Sequence, residues 1–189
     1  VKLDMRMNTE QKISAYDVIN TYSEEQLSKI IFEYGEERHA RKIAKLIVEE
    51  RKSSPIEKTS DLITLIKRAY PERASKHPAK KTFQAIRIEV NRELEVLENA
   101  ISKAVELLKI GGRLAIITFH SLEDRIVKNK FKDLATACKC PKDIPICVCG
   151  GVKKFEIVTK KPIIPIDDEL KNNNRAHSSK LRILERILD

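Results

Sequence analysis

Phe119, His120 and Ser121 stand where an apolar run stops and a charged helical pattern begins, in GGRLAIITFHSLEDRIVK at 111–128. A neutral imidazole near pH 7 can accept a proton, which makes His120 a candidate acid–base group. The alternative is a histidine that hydrogen-bonds loop backbone at a helix start. Asp124 has two readings as well, either the acidic partner of Ser121 in a capping box or an ion pair with Arg125. Further on, Cys138, Cys140, Cys147 and Cys149 form two C-x-C pairs. Four thiolates could enclose a tetrahedral zinc, although structural zinc sites favour C-x₂₋₄-C spacing. Reduced thiols in a loop are the competing reading. The opening VKLDMRMNTEQK lacks the apolar stretch of a secretory signal, so disulfides are not the first choice.

These residues need elements to hold them. Leu114 to Ile117 is apolar without alternation, the pattern of a strand covered on both faces in a parallel sheet. The expected helix from Ser121 would bury Ile126, Val127, Phe131 and Leu134. Residues 77–110 read as one long helix, with Val90, Leu94, Leu97, Ile101, Val105 and Leu108 on its apolar stripe and Gly111 and Gly112 ending it. Helix, strand, helix is half of an open α/β sheet, and ligands bind such sheets at the carboxyl ends of the strands. That end is where Phe119, His120 and Ser121 lie. Strands are also expected at 154–163 and 180–188, separated by a short acidic helix at 167–172 and the polar turn NNNRAHSS.

Upstream of residue 77 the pattern is helical throughout. In YSEEQLSKIIFEYG, Ser23 is the expected N-cap, Gln26 its capping-box partner and Gly35 the stop. A helix at about 37–51 buries Ala40, Ile43, Ala44, Ile47 and Val48 and turns Arg38, Arg41, Lys42 and Lys45 outward. A third buries Leu62, Ile63 and Ile66 before Pro71.

The 189 residues carry a net charge of +9, with 41% hydrophobic and 34% charged residues. No apolar run reaches the roughly 18–20 residues of a membrane span. The basic excess is concentrated. Lys67, Arg68, Arg73, Lys76, Lys80, Lys81, Arg87 and Arg92 face only Glu72 and Glu89 in their stretch. Further clusters are Lys153, Lys154, Lys160 and Lys161, then Lys171, Arg175, Lys180, Arg182 and Arg186. Such patches suit a polyphosphate partner through attraction and counterion release. A basic surface that only keeps the chain soluble is the alternative.

LDMRM (3–7), YGEERHARKIAKLIVEERK (34–52), HPAKKTFQAIRIEVNRELE (77–95), GGRLAIITFHSLEDRIVK (111–128) and, more loosely, RAHSSKLRILER (175–186) occur in order along the chain. Together they resemble the RsmH/MraW family of bacterial methyltransferases. The resemblance implies transfer of a methyl group from S-adenosylmethionine to N4 of a cytidine in small-subunit (16S) rRNA. It implies a cytoplasmic enzyme of class α/β, with residues 77–189 as the C-terminal part of a class I (Rossmann-like) methyltransferase sheet and residues 1–76 as an all-helical inserted domain. That sheet is mostly parallel and seven-stranded, with an antiparallel final strand.

The family's cofactor turn, rich in glycine, should lie upstream of residue 1. Gly35, Gly111, Gly112, Gly150 and Gly151 form no strand–Gly-x-Gly–helix motif. The expectation is therefore a chain lacking the cofactor-binding half, with an unpaired edge on the 113–119 strand that either recruits another chain, such as a second copy, or makes the chain aggregation-prone. A non-catalytic RNA-binding module is the alternative. By the same resemblance Phe119 and His120 line the target-base pocket, and Asp4 and Arg6 close over the active site, against a plain ion pair. Lys81, Thr82 and Gln84 meet RNA phosphate or the cofactor pocket. Arg87 is either a further RNA contact or part of a polar helix face, and Arg175, Ser178, Ser179 and Lys180 form a phosphate-contacting turn.

Overall fold

The computed structural model describes residues 1–71, 78–138, 140 and 150–189. They form two compact units, Val1–Glu93 and Leu94–Asp189. The first unit is helical, with α1 (Ala15–Thr21), α2 (Glu24–Gly35), α3 (Ala40–Glu50), α4 (Thr59–Ala69) and α5 (Ala79–Asn91). Ser14 with Asp17 and Ser23 with Gln26 start α1 and α2 as reciprocal capping boxes, each satisfying backbone N–H groups that a helix start leaves open. Leu27, Ile31, Ile43, Ile47, Leu62, Ile66 and Ile86 are fully buried and merge the helices into one core. Each contributes about 1.5–3 kcal/mol through burial.

Gly35 does more than stop α2. It is the last helical residue, and the left-handed cap is Glu36, with φ 48°. A Cβ on Gly35 would lie 2.7 Å from the Lys81 carbonyl oxygen. Glycine is required because the α5 backbone passes directly over it.

The long helix expected over 77–110 is two helices. α5 ends at Asn91, Arg92 takes a left-handed φ of 50°, and α6 (Glu93–Glu106) follows. The cause is tertiary. The Asn91 amide donates to the Met5 carbonyl at 2.9 Å and accepts from the Met7 N–H at 2.8 Å, which pins the end of α5 to the LDMRM loop. The Arg87 guanidinium grips Glu93 at 2.7 and 2.9 Å just past the break. Apolar periodicity continues through the corner, so spacing alone does not reveal it. The units accordingly divide after Glu93, beyond the boundary expected at 76/77, because α5 packs chiefly on α2.

The second unit contains α6, β1 (Arg113–Thr118), α7 (Ser121–Ala135), β2 (Phe155–Ile157), α8 (Asp167–Asn172), a 3₁₀ turn (Asn174–Ser178) and β3 (Lys180–Arg186). The sheet order is β1-β3-β2, and β3 is antiparallel to both neighbours. β1 and β2 therefore point the same way, although no parallel pair is hydrogen-bonded among the described residues. Ile101, Val105, Val127, Phe131, Phe155 and Leu184 form the core, with Leu114 and Ile116 packed against it.

Two sequence expectations change here. β1 is one-sided. Leu114, Ile116 and Thr118 turn inward, while Arg113, Ala115 and Ile117 are exposed, Ile117 at 58%. Among the described residues, β1 also has a strand partner on one side only. The strand expected at 154–163 shrinks to three residues. Beyond Ile157 the chain still follows β3, through Val158 N–H to the Ile183 carbonyl at 3.0 Å, then Ile183 N–H to Thr159 Oγ1 at 2.9 Å. It rejoins at Ile163 after Pro162, which has no N–H to give. No helix among the described residues is long and apolar enough to cross a membrane.

Candidate functional site

β1 delivers Phe119 and His120 to its carboxyl end, where α7 begins. The N-cap of α7 is His120, not Ser121. The Glu123 N–H donates to His120 Nδ1 at 3.4 Å, and the Glu123 carboxylate accepts from the Phe119 and His120 N–H groups at 2.8 and 3.3 Å. With Nδ1 accepting, the neutral ring carries its proton on Nε2, which lies 3.4 Å from Glu123 Oε1. The imidazole holds the turn together. Phe119 projects from that turn 54% exposed, a costly placement for a large apolar residue.

Asp124 is neither a capping-box residue nor matched to Arg125. Its carboxylate lies inside the unit, receiving Arg182 Nε at 2.7 Å and Nη2 at 3.1 Å, with Lys180 Nζ at 3.4 Å. Hydrogen bonding from Arg182 holds its pKa below the ordinary carboxylate range despite burial. The pair ties the first turn of α7 to β3 and so fixes the loop that carries Phe119. Thr118 closes the same corner, its hydroxyl donating to the Lys180 carbonyl at 3.4 Å. Periodicity gave no sign of this pair, because Asp124 and Arg182 lie far apart in sequence. On α7 the signal was Asp124 sharing the buried face of Val127 and Phe131, whereas on β3 Arg182 shares its face with Lys180 and Arg186 and gave none.

The remaining expected site residues separate by exposure. Asp4 and Arg6 form a local ion pair, Arg6 Nε to Asp4 Oδ1 at 2.7 Å and Nη2 to Oδ2 at 2.9 Å. Arg6 Nη1 also donates to the Thr9 and Gln11 carbonyls, so its fork staples the LDMRM loop. Hydrogen bonds from Arg6 lower the Asp4 pKa to about 2. On α5, Thr82 is fully buried, Gln84 donates to the Tyr34 carbonyl at 3.0 Å, and Lys81 Nζ donates to the Glu36 carbonyl at 2.9 Å. These residues close the end of α2. Burial removes Thr82 from any surface contact, and Arg87 is committed to Glu93. Arg175 and Ser178 lie exposed in the 3₁₀ turn. Ser179 Oγ donates to the Ala176 carbonyl at 2.8 Å, and Arg182 is buried with Asp124. Cys138 is exposed and Cys140 half-buried, whereas Cys147 and Cys149 lie outside the described residues.

A model of the MraW methylase family matches residues 1–187. The chain belongs to this family. A ribosomal RNA small subunit methyltransferase H of Fusobacterium nucleatum is 97% identical over all 189 residues, which cover 60% of that relative. Proteins of the same name from Caldicellulosiruptor bescii and Clostridioides difficile are 55% and 54% identical over 98% of the chain, covering 61% and 60% of their own lengths. The chain thus spans about 60% of the length of the curated relatives it matches. The family expected from the five sequence segments is the one found.

The glycines do not make a nucleotide cradle. Gly35 ends a helix under the Lys81 carbonyl, Gly111 and Gly112 precede β1, and Gly150 and Gly151 precede β2. None links the end of a strand to the start of a helix, so these residues do not fit S-adenosylmethionine, and no step through it follows from them.

Proposed function

We propose that this chain is part of an enzyme that transfers a methyl group from S-adenosylmethionine to N4 of a cytidine in small-subunit (16S) rRNA. The observation that carries the reading is the exposed Phe119 ring at the carboxyl end of β1, on a turn held by His120, Glu123 and the Asp124–Arg182 pair. A base taken out of its stack needs a flat apolar wall, and Phe119 supplies one. His120 is a positioning residue that sets the angle of that wall.

The sheet supports the same reading. An antiparallel β3 between two strands of common direction suits the antiparallel-strand edge of a class I (Rossmann-like) methyltransferase sheet. The one-sided β1 would then take its further strand and its second covering layer from sequence outside these 189 residues. The glycine-rich cradle for the methyl donor belongs there too. Lys81, Arg175 and Lys180 keep exposed or partly exposed cationic heads for rRNA phosphate, while Thr82, Gln84, Asp4 and Arg6 serve as scaffold.

The test uses a chain extended to the full length of the relatives, with labelled S-adenosylmethionine and small ribosomal subunits lacking the modification. Nucleoside analysis should return label in N4-methylcytidine. Label on a ring carbon, or on another base, would overturn the assignment. Calorimetric titration of S-adenosylmethionine into the 189 residues alone should give no binding heat.

A further inference from the structure

Phe32 is the most exposed aromatic residue among the described residues of the first unit, 62% exposed, while Leu27, Ile30 and Ile31 of the same helix are buried. It sits in a groove of about 680 Å³ between α2 and α3, lined also by Ser28, Lys29, Arg38 and Arg41. The groove's arginines are not used by the fold. Arg6, Arg51, Arg87, Arg113, Arg182 and Arg186 spend their guanidinium groups on carboxylates or carbonyls of the fold. Among the described residues, Arg38 and Arg41 are exposed and, like Arg175 in the 3₁₀ turn, make no such bond. Lys42 and Lys45 continue the cationic stripe along α3, with Glu49 reaching Lys45 only at 3.8 Å.

Acidic residues share the groove, but two of them have a local cause. Glu24 and Glu25 form the first turn of α2, where negative charge complements the helix dipole. They lie about 10–12 Å along the helix from Phe32, at 1.5 Å per residue. Glu33 is the one carboxylate adjoining the ring in sequence, and a carboxylate can accept from the exocyclic amine of a base. An exposed ring flanked by unengaged guanidinium groups is the arrangement by which proteins hold unpaired nucleic acid, one base stacked and the neighbouring phosphates paired.

We propose that the α2–α3 groove binds a short single-stranded segment of RNA, with one base stacked on Phe32 and its flanking phosphates on Arg38 and Arg41. This rests on the reading of the protein as acting on RNA, and it adds a contact on the helical unit, separate from the turn that carries Phe119.

The chain contains no tryptophan, so Phe32→Trp installs a single fluorescent reporter at the site. Titrating this variant of the 189-residue chain with an unstructured single-stranded RNA 12-mer should quench the indole saturably. Adding Arg38→Ala and Arg41→Ala should weaken binding roughly tenfold and reduce the slope of log K against log salt by about 1.4, two phosphate contacts at roughly 0.7 each. Phe32→Ala should weaken binding about tenfold, with Phe32→Tyr close to the parent. If labelled RNA still binds by anisotropy without quenching the indole, the groove is not the site, although an RNA substrate stands. Equal quenching by poly-glutamate would overturn the proposal in favour of an acidic protein partner. Failure to bind RNA at all would also overturn it. Whether the enzyme methylates RNA is decided separately, by the labelled-methyl assay.

Discussion

Asp124 of α7 and Arg182 of β3 meet as a two-point ion pair, Nε to Oδ1 at 2.7 Å and Nη2 to Oδ2 at 3.1 Å, with side chains only 12% and 10% exposed. Removing one partner strands the other charge away from water. Asp124→Asn should therefore destabilise the sheet unit by about 3 kcal/mol, read by urea denaturation. The double change Asp124→Leu with Arg182→Met should cost much less than the sum of the single changes, since no charge is left buried. Additive losses would show that the two residues act independently.

The same pair sets an acid limit. The folded-state pKa of Asp124 lies below its unfolded value, so its contribution is complete above the ordinary aspartate value of about 3.9 and is lost as pH falls through the folded value. Acid unfolding of the parent should steepen below about pH 4, and Asp124→Asn should flatten that step. Asp4 has the same sign. Its carboxyl resonance should titrate with a midpoint near pH 2, and Arg6→Gln should return it toward about 3.9.

Gly35→Ala tests the crossing of α2 and α5. The new Cβ would sit 2.7 Å from the Lys81 carbonyl, a backbone atom that cannot swing aside. Although alanine is the better helix former, we expect a loss of about 1–3 kcal/mol from this overpacking. A stabilised variant would mean that the two helices separate without cost.

The turn at the end of β1 should divide stability from activity. His120→Ala removes the α7 cap and should cost about 1 kcal/mol, with His120→Asn restoring most of it. Phe119→Ala should change stability by less than about 0.5 kcal/mol, because the ring is largely exposed. In the full-length enzyme it should reduce methyl transfer while leaving the thermal midpoint in place. Unaltered transfer would remove Phe119 from the target pocket.

Tyr70→Phe probes the buried carboxylate of the helical unit. The Tyr70 hydroxyl donates to Glu37, a residue only 2% exposed whose other oxygen accepts from the His39 N–H at 2.8 Å. Burial, then the Glu37 carboxylate, raises the Tyr70 pKa well above its ordinary value, which keeps the hydroxyl a donor. Losing it should cost about 1.5–3 kcal/mol by thermal denaturation.

Local chemistry was readable from the sequence wherever a residue acts on near neighbours. Ser23 and Gln26 identified the start of α2, the spacing of Leu27, Ile30 and Ile31 its buried face, and the order helix–strand–helix the position of Phe119 at a strand end. The family was legible too, because five segments kept their order along the chain. Contacts between distant segments decided the rest. Arg92 turns left-handed because Asn91 is held by the loop of Met5 and Met7, and the apolar period runs through that corner unchanged. Asp124 abandons the helix cap because Arg182 arrives from β3 to meet it. Sequence patterns report energies between residues a few positions apart, whereas the partner of a buried charge is chosen by whichever strand or helix the fold brings against it.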